Sequence, residues 1–413
     1  MNEATLLDFK KLMTARFLYT LAVQMQAILL GWQMYVLTQD PLFLGFVGLA
    51  EALPALSLAM FAGYFVDRGR PISIFRGLIS LSVLSAVVMF SSQSHQLGLS
   101  NHQQIVCLFA SSFLTGLARA FSQPTMFTIV PRIVKRDFLP KASAWMSSSM
   151  QIARISGPAV GGLLYGFIGI SNSSLVLCFI LIAALITVVS IRIQLLPLEI
   201  SQSYKSPKEE LLSGAKFVFN HPILFPALSL DMISVLFGGV TALLPIYAAK
   251  ILLVGPVGLG MLRASPAAGA AVTSLWLTSF EIRAQAGRFL LWSVAGFGVC
   301  ILVFSLSHIY ILSLLALFGS GAFDSVSMII RSAAVQLASP DSMRGKISAV
   351  NSMFIGSSNE LGEFESGVAA SILGTVPAAV FGGVICLLTV ATVTLISPKL
   401  RKLNLDDLES SKN

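Results

Sequence analysis

Residues 376–397 read VPAAVFGGVICLLTVATVTLIS and contain no charged side chain. A helix needs about 20 predominantly apolar residues to cross the hydrocarbon core of a bilayer, and this run is long enough. Membrane-spanning strands are shorter and alternate between apolar and polar residues, whereas this run is continuously apolar. The stretch therefore predicts a transmembrane helix.

The rest of the chain has the same character. Of its 413 residues, 55% are hydrophobic and 11% are charged, and the mean hydropathy is +0.83. Soluble domains carry roughly 25% charged residues, so this composition excludes an ordinary soluble fold. We predict an all-α membrane protein with twelve transmembrane helices. The predicted spans lie near residues 14–37, 43–66, 72–92, 104–128, 142–167, 174–196, 222–249, 256–280, 289–306, 309–335, 347–372 and 376–397.

Lys and Arg are unevenly distributed between the predicted loops. If the N-terminus is inside, the inside segments hold nearly all of these residues and the outside loops hold only Lys250. Cytoplasmic loops carry such an excess, so both termini are predicted in the cytoplasm of a multi-pass protein of the cell (inner) membrane. The same asymmetry explains the net charge of +8 without a nucleic-acid partner.

A polar connection separates six spans from six. The predicted domains are an N-terminal six-helix bundle at 1–196, a cytoplasmic central loop at 197–221 and a C-terminal six-helix bundle at 222–413. Pro207, followed by acidic residues, predicts a short helix inside the loop. An internal repeat supports this division, because a shift of 205 residues places Gly116 on Gly321.

Ionisable side chains are costly in hydrocarbon, so those within the spans are functional candidates. Gln26 and Gln33 lie on one face of the first span, where they could line a cavity. Arg119 and Asp324 are equivalent under the repeat and opposite in charge, which suits an ion pair; Arg331 is the alternative partner of Asp324. The candidates for cavity lining or ion pairing are Arg119, Arg154, Gln26, Gln33, Asp231 and Arg331.

The eleventh span contains two carboxylates one helical turn apart. Glu360 and Glu363 share a face, and desolvation and mutual repulsion both favour a retained proton there. The alternative is that one of them bridges to a basic residue such as Arg154 or Arg263. The proton-coupling candidates are Glu363, Glu360, Asp324 and Glu51.

The chain shows no sign of enzyme chemistry. Its four histidines lie in or beside loops and do not group with cysteines or acids, so no metal site and no catalytic residue is predicted. No GxxxxGK[ST] phosphate loop is present, which argues against ATP as the energy source. No cofactor is predicted.

Two motifs resemble those of the major facilitator superfamily. Residues 63–70, GYFVDRGR, are similar to its cytoplasmic loop motif, although one residue is missing between Arg68 and Gly69. This resemblance implies a conformational switch formed by Gly63, Asp67, Arg68 and Arg70. Residues 157–162, GPAVGG, are similar to the GPxxGG motif of the antiporter branch.

The second motif implies close helix packing at Gly157, Pro158, Gly161 and Gly162. We expect Gly161→Leu to be more damaging than Gly383→Leu in the twelfth span. Residues 344–351 and 359–363 are similar to a bacterial branch of the superfamily that includes the enterobactin exporter.

The resemblance implies two six-helix bundles around a cavity lined by spans 1, 4, 7 and 10. The predicted function is proton-coupled export of a small organic molecule, drug-like or siderophore-like, by alternating access. The predicted partners are that substrate, protons and the lipid bilayer, with the protein acting as a monomer. The alternatives are an uptake carrier of the same fold and a non-transporting sensor or membrane enzyme.

Overall fold

The computed structural model describes residues 3–93, 98–191, 207–279, 282–340 and 343–410, and the chain is helical in nearly all of them. The helices are α1 Glu3–Thr38, α2 Pro41–Arg68, α3 Pro71–Ser92, α4 Asn101–Ile133, α5 Leu139–Val189, α6 Pro207–Asn220, α7 Leu224–Gly238, α8 Leu244–Ile246, α9 Gly255–Leu277, α10 Ala286–Leu306, α11 Tyr310–Ala338, α12 Arg344–Leu373, α13 Thr375–Ile396, α14 Pro398–Arg401 and α15 Leu405–Ser410. This confirms the predicted all-α membrane fold.

Within the described residues, nine helical stretches are long and apolar enough to cross a membrane. One of them, α5, contains the fifth predicted span and most of the sixth, and it is kinked at Gly169, where φ is 75°. The eighth and eleventh predicted spans form α9 and α12, which are long enough to span but are not among the nine. A total of twelve spans stays a prediction.

Local signals explain several helix boundaries. The Asp40 side chain accepts a hydrogen bond from the backbone N–H of Leu42, and Pro41 occupies the first helical position of α2. Ser100 and Gln103 form a reciprocal capping box at the start of α4. The short helix predicted to begin at Pro207 is present as α6.

The chain folds into two compact units. Unit 1 comprises Met1–Ser201 and Leu253–Ala264, and unit 2 comprises Gln202–Leu252 and Ser265–Asn413. Helix α6 therefore belongs to unit 2, while the first part of α9 belongs to unit 1. The predicted domain boundaries did not include this division of α9.

Each unit has its own close helix crossings. In unit 1, α1 packs along α5, and α2 packs along α4, where Gly116 lies against the backbone of Glu51. In unit 2, Gly321 lies against the backbone of Pro266. Gly116 and Gly321 are the residues that the repeat aligns, so both halves use a glycine at the same position to bring two helices together.

Candidate functional site

Gln26 is the centre of a buried polar network in unit 1. It is 1% exposed, and its Nε2 donates to Ser85 Oγ, Ser111 Oγ and Thr115 Oγ1 at 2.7, 2.9 and 3.1 Å. The network joins α1 to α3 and α4. Gln26 therefore fastens three helices together and does not line a cavity in this structure, because packing against α3 and α4 covers its face.

Gln33 lies about two helical turns after Gln26 and on the same face of α1. It is buried, its Nε2 donates to Gln93 Oε1 at 2.9 Å, and its Oε1 accepts from the Tyr165 hydroxyl at 2.7 Å. Gln33 therefore connects α1 with α5 and with Gln93, which directly follows α3.

Glu51 of α2 and Arg119 of α4 form an ion pair in unit 1. The close approach of α2 at Gly116, one turn before Arg119, is what brings the carboxylate within reach. The Arg119 side chain is 41% exposed and that of Glu51 is 16% exposed. Arg119, for which Asp324 was the predicted partner, thus pairs with a carboxylate of its own unit.

Two further arginines lie near this pair. Arg16 is 4% exposed, and its guanidinium donates to the side chain of Ser122 at 2.6 Å and to its carbonyl at 3.4 Å. Arg154 is exposed and has no ion-pair or hydrogen-bond partner among the described residues. Its charge interacts with those of Arg16 and Arg119. We call Arg16, Arg119 and Arg154 the arginine cluster.

Unit 2 contains a cluster of opposite sign. Asp231 of α7 forms an ion pair with Arg331 of α11, and both side chains are buried. Asp324, two turns before Arg331, has no ion-pair or hydrogen-bond partner among the described residues. We call Asp231, Asp324 and Arg331 the acidic cluster, because two carboxyl groups share one guanidinium.

A small cavity adjoins the acidic cluster. Asp231 and Asp324 line it together with Ser234 and Ser327, whose hydroxyls have no hydrogen-bond partner among the described residues. The centre of a water molecule can occupy about 10 Å³ of this cavity, which is about the space that one bound water needs. The site therefore combines unused polar groups with room for a very small ligand.

The carboxylates of α12 lie apart from that cavity. Glu360 is 9% exposed, whereas Glu363 and Glu365 are half-buried. Glu360 and Glu363 each interact with another group. Between them, a Cβ on Gly362 would come within 2.8 Å of the Leu236 carbonyl of α7, so the helix is closely packed here.

The loop motif at residues 63–70 spans the end of α2 and the start of α3. The side chains of Asp67 and Arg68, and the surroundings of Gly63, lie outside the described residues. Gly69 ends α2 by donating to the Phe65 carbonyl, and Arg70 is exposed at the start of α3. The switch role implied for Asp67 stays a prediction.

The glycines of the GPxxGG motif are closely packed. A Cβ on Gly157 would lie 2.7 Å from Gln24 Cβ, and one on Gly161 would lie 3.1 Å from the Met25 carbonyl, both on α1. A Cβ on Gly162 would lie 2.5 Å from the Pro256 carbonyl. Pro158 is buried in the same stretch, inside α5.

Gly383 is closely packed, so it does not have the open surroundings expected of a tolerant position. A Cβ there would lie 2.8 Å from Leu302 Cγ and 3.3 Å from the Gly298 carbonyl. The packing of α13 against α10 inside unit 2 is the reason. Gly77 of α3 has no atom within 4 Å of an added Cβ and is the better comparison.

His221 has a structural role that the sequence did not indicate. Its Nδ1 accepts from the backbone N–H groups of Ile223 and Leu224 at 3.2 and 3.1 Å, which caps the start of α7. Burial lowers the pKa of His221 from its ordinary value of 6.5. Among the described residues, no group of three or more histidines, cysteines and acids is arranged to hold a metal ion.

Apolar helices in two units, each with charged groups buried inside it, define a multi-pass membrane protein. The chain matches the family described as transmembrane secretion effector, of the major facilitator superfamily, over residues 6–413, and it belongs to that family. This confirms the predicted superfamily. The protein is therefore a membrane transporter of small molecules.

Curated relatives and solved structures agree with this assignment. The chain is 26% identical to Multidrug resistance protein 1 of Bacillus subtilis over 194 residues, which are 46% of this chain and 45% of that protein. It is 22% identical to the enterobactin exporter of Shigella boydii over 353 residues, which are 83% and 80% of the two chains. The nucleoside transporter NupG has the same fold, with a TM-score of 0.74 and 12% identity over 94% of this chain and 99% of that one.

Proposed function

We propose that this protein is a proton-coupled exporter of a small organic molecule, working as a monomer in the inner membrane by alternating access. The observation that carries the proton coupling is the acidic cluster, in which Asp231 and Asp324 share the single positive charge of Arg331. The predicted topology, with both termini and the connection at 197–221 in the cytoplasm, belongs to the same proposal.

The charges of the acidic cluster explain why a proton would bind there. Asp231 and Arg331 neutralise one another, so an ionised Asp324 would leave one uncompensated negative charge inside the unit. Such a charge is costly away from water, and a bound proton removes it. If the cavity becomes hydrated in one conformation, the proton can leave, and its binding then favours one conformation over the other.

Other carboxylates remain candidates behind Asp324. Glu363 and Glu360 are the first candidates from the sequence, and each interacts with another group, but neither lines the cavity of the acidic cluster. Glu51 is held by Arg119. Asp324 combines the absence of a described partner with an adjoining cavity, so we place it first.

The curated relatives favour export over uptake. The two curated relatives described above are named for drug resistance and for enterobactin export. Uptake by the same fold is the alternative, and the direction of the driving gradient distinguishes the two. A membrane enzyme or a sensor is disfavoured, because the family and its structural neighbour are transporters.

The proposal is tested in inside-out membrane vesicles with an imposed pH gradient and a panel of labelled solutes. The parent protein should accumulate at least one solute when the vesicle interior is acidic. Asp324→Asn should abolish this accumulation and still allow exchange of that solute across the membrane without a gradient.

Asp406→Asn is the matched control. Asp406 is 60% exposed in α15 and pairs with Arg283, so its charge lies outside the acidic cluster. It should transport like the parent. Accumulation by Asp324→Asn at the parent level would exclude Asp324 as the coupling residue and leave Glu363 and Glu360 to be tested in the same way. Accumulation driven by the opposite gradient would favour uptake.

A further inference from the structure

The arginine cluster of unit 1 holds more positive charge than its neighbourhood neutralises. Arg119 pairs with Glu51. Arg16 is held by a serine hydroxyl and a carbonyl, neither of which carries a negative charge. Arg154 has no ion-pair partner among the described residues. In the described part of the chain, neither Arg16 nor Arg154 has a carboxylate partner, and an anion would balance these two charges.

The helix packing around Arg154 shows that it faces the inside of unit 1. Met150, one turn before it, contacts the Arg16 guanidinium at 3.8 Å. Gly157, one turn after it, packs against Leu21 and Gln24 of α1. Residues three and four apart share a helix face, so Arg154 lies on the face of α5 that meets α1, and yet it is exposed. Its guanidinium therefore borders an open space beside α1.

Arg119 borders the same region from α4. Gly116, one turn before it, packs on α2, and Ser122, one turn after it, holds Arg16 of α1. The Arg119 side chain is nevertheless 41% exposed. Arg119 and Arg154 are thus both exposed, and their charges interact.

Buried polar atoms without partners lie at the base of this region. Arg16 Nε and the Tyr19 hydroxyl are both buried and make no hydrogen bond among the described residues. Both are donors, as are the free N–H groups of Arg154. The planar fork of a guanidinium fits the two oxygens of a carboxylate or the oxygens of a phosphate.

We propose that the arginine cluster binds the oxyanion of the transported molecule, so that the substrate is an organic anion. This inference rests on the proposed transport function and adds the class of substrate to it. Arg154 and Arg119 bind the oxyanion directly, while Arg16 adds positive charge from beneath. Glu51 competes with the ligand for Arg119, so substrate binding and the Glu51 ion pair exclude one another in part.

The test measures binding, which does not require transport. Purified protein in lipid nanodiscs is titrated with three probes of equal size: 2-naphthoate, 2-naphthamide and 2-naphthylmethylammonium. The carboxylate should bind about tenfold or more tightly than the amide, as expected for a charged hydrogen bond, and the ammonium should bind most weakly. Equal binding of the amide, preference for the ammonium or no binding of the carboxylate would each overturn the proposal.

Two variants with opposite effects separate binding from folding. Arg154→Gln should weaken naphthoate binding about tenfold, and Arg154→Lys should recover part of it. Glu51→Gln should instead strengthen binding, because it releases Arg119, and a merely destabilised protein would not bind more tightly. Arg288→Gln is the control, since Arg288 is exposed in α10 of unit 2 and bonds to Gln285. Unchanged affinity in both Arg154→Gln and Glu51→Gln would refute the site.

The outcomes distinguish this inference from the proposed function. Naphthoate binding that depends on Arg154, together with no proton-driven transport, would support the site and contradict the proposed coupling. Proton-driven transport of a neutral or cationic solute, with no binding of naphthoate, would support the coupling and overturn the anion site.

Discussion

Asp231 occupies in unit 2 the position that Gln26 occupies in unit 1. The two are separated by 231 − 26 = 205 residues, the shift that also aligns Gly116 with Gly321. Both are buried in the first stretch of their unit that is long and apolar enough to span a membrane, and both reach the helix that carries the aligned glycine. In unit 1 the contact between the two helices consists of hydrogen bonds from the neutral Gln26 amide to hydroxyl groups. In unit 2 it is the ion pair of Asp231 with Arg331.

We predict that a substitution at this contact lowers the stability of the folded protein more in unit 2 than in unit 1. Arg331→Leu removes the only cation of the acidic cluster and should lower the stability of the folded protein by about 3–5 kcal/mol. Gln26→Leu should lower it by about 1–3 kcal/mol, because Ser85, Ser111 and Thr115 still bond to one another. Thermal unfolding in detergent measures both.

Arg331→Leu combined with Asp231→Asn should recover part of the lost stability, because it removes the carboxylate that had lost its partner. Similar losses for Gln26→Leu and Arg331→Leu would show that the ion pair contributes no more than the amide network.

The glycines of α5 give a packing prediction. Gly157→Leu should strongly reduce the yield of folded protein, because even a Cβ would contact the Leu21 carbonyl at 2.9 Å. Gly77→Leu, which meets open space, should be tolerated. Size-exclusion profiles and unfolding temperatures provide the comparison. Equal tolerance of both substitutions would contradict the packing role of the motif.

The cap formed by His221 predicts a pH effect on stability. Its Nδ1 can accept hydrogen bonds only when the ring is not protonated there. Because burial lowers the pKa of His221 in the folded protein, the unfolded chain binds a proton more readily. The contribution is complete above pH 6.5 and is lost as the pH falls below that value.

His221→Asn keeps an acceptor side chain without a titrating ring and is the matched variant. Its unfolding temperature should fall less than that of the parent between pH 7.5 and pH 5.5. Parallel pH profiles for the parent and the variant would show that other groups control the acid sensitivity.

Labelling can decide the topology. On a background with the four native cysteines replaced by alanine, His308→Cys should react with an impermeant maleimide added to whole cells. Asn220→Cys should react only after the membrane is opened, because the positive-inside distribution predicts a cytoplasmic α6 region. Labelling of Asn220→Cys from outside would reverse the proposed orientation.

Hydropathy predicted the fold well because each span must satisfy its own backbone hydrogen bonds in lipid. The start of α6 at Pro207 followed from local residue preferences, and the repeat aligned Gly116 with Gly321, both of which are closely packed in the structure. These features depend on short stretches of sequence or on comparing the chain with itself.

The side-chain partners could not be predicted in the same way. Arg119 and Glu51 meet because a glycine lets two distant helices approach, and nothing in the neighbourhood of either residue indicates the other. Gln26 looked like a cavity residue because its helix face is polar, but a polar face also suits contact with serines and threonines of other helices. Gly383 looked unconstrained because its span contains no charged side chain, but an apolar helix also packs closely on other apolar helices, as α13 does on α10.

The unequal charges of the arginine cluster and the acidic cluster have an electrical consequence. A carrier that sends a monovalent anion out and brings one proton in moves two positive charges inward in each cycle. Every charge that crosses a potential of 100 mV changes the free energy by about 2.3 kcal/mol, so the membrane voltage would drive export together with the pH gradient. Transport should therefore give a current that can be recorded from protein reconstituted on a supported membrane. Exchange of a neutral solute for one proton moves only one charge, so its current per proton should be about half of that for a monovalent anion.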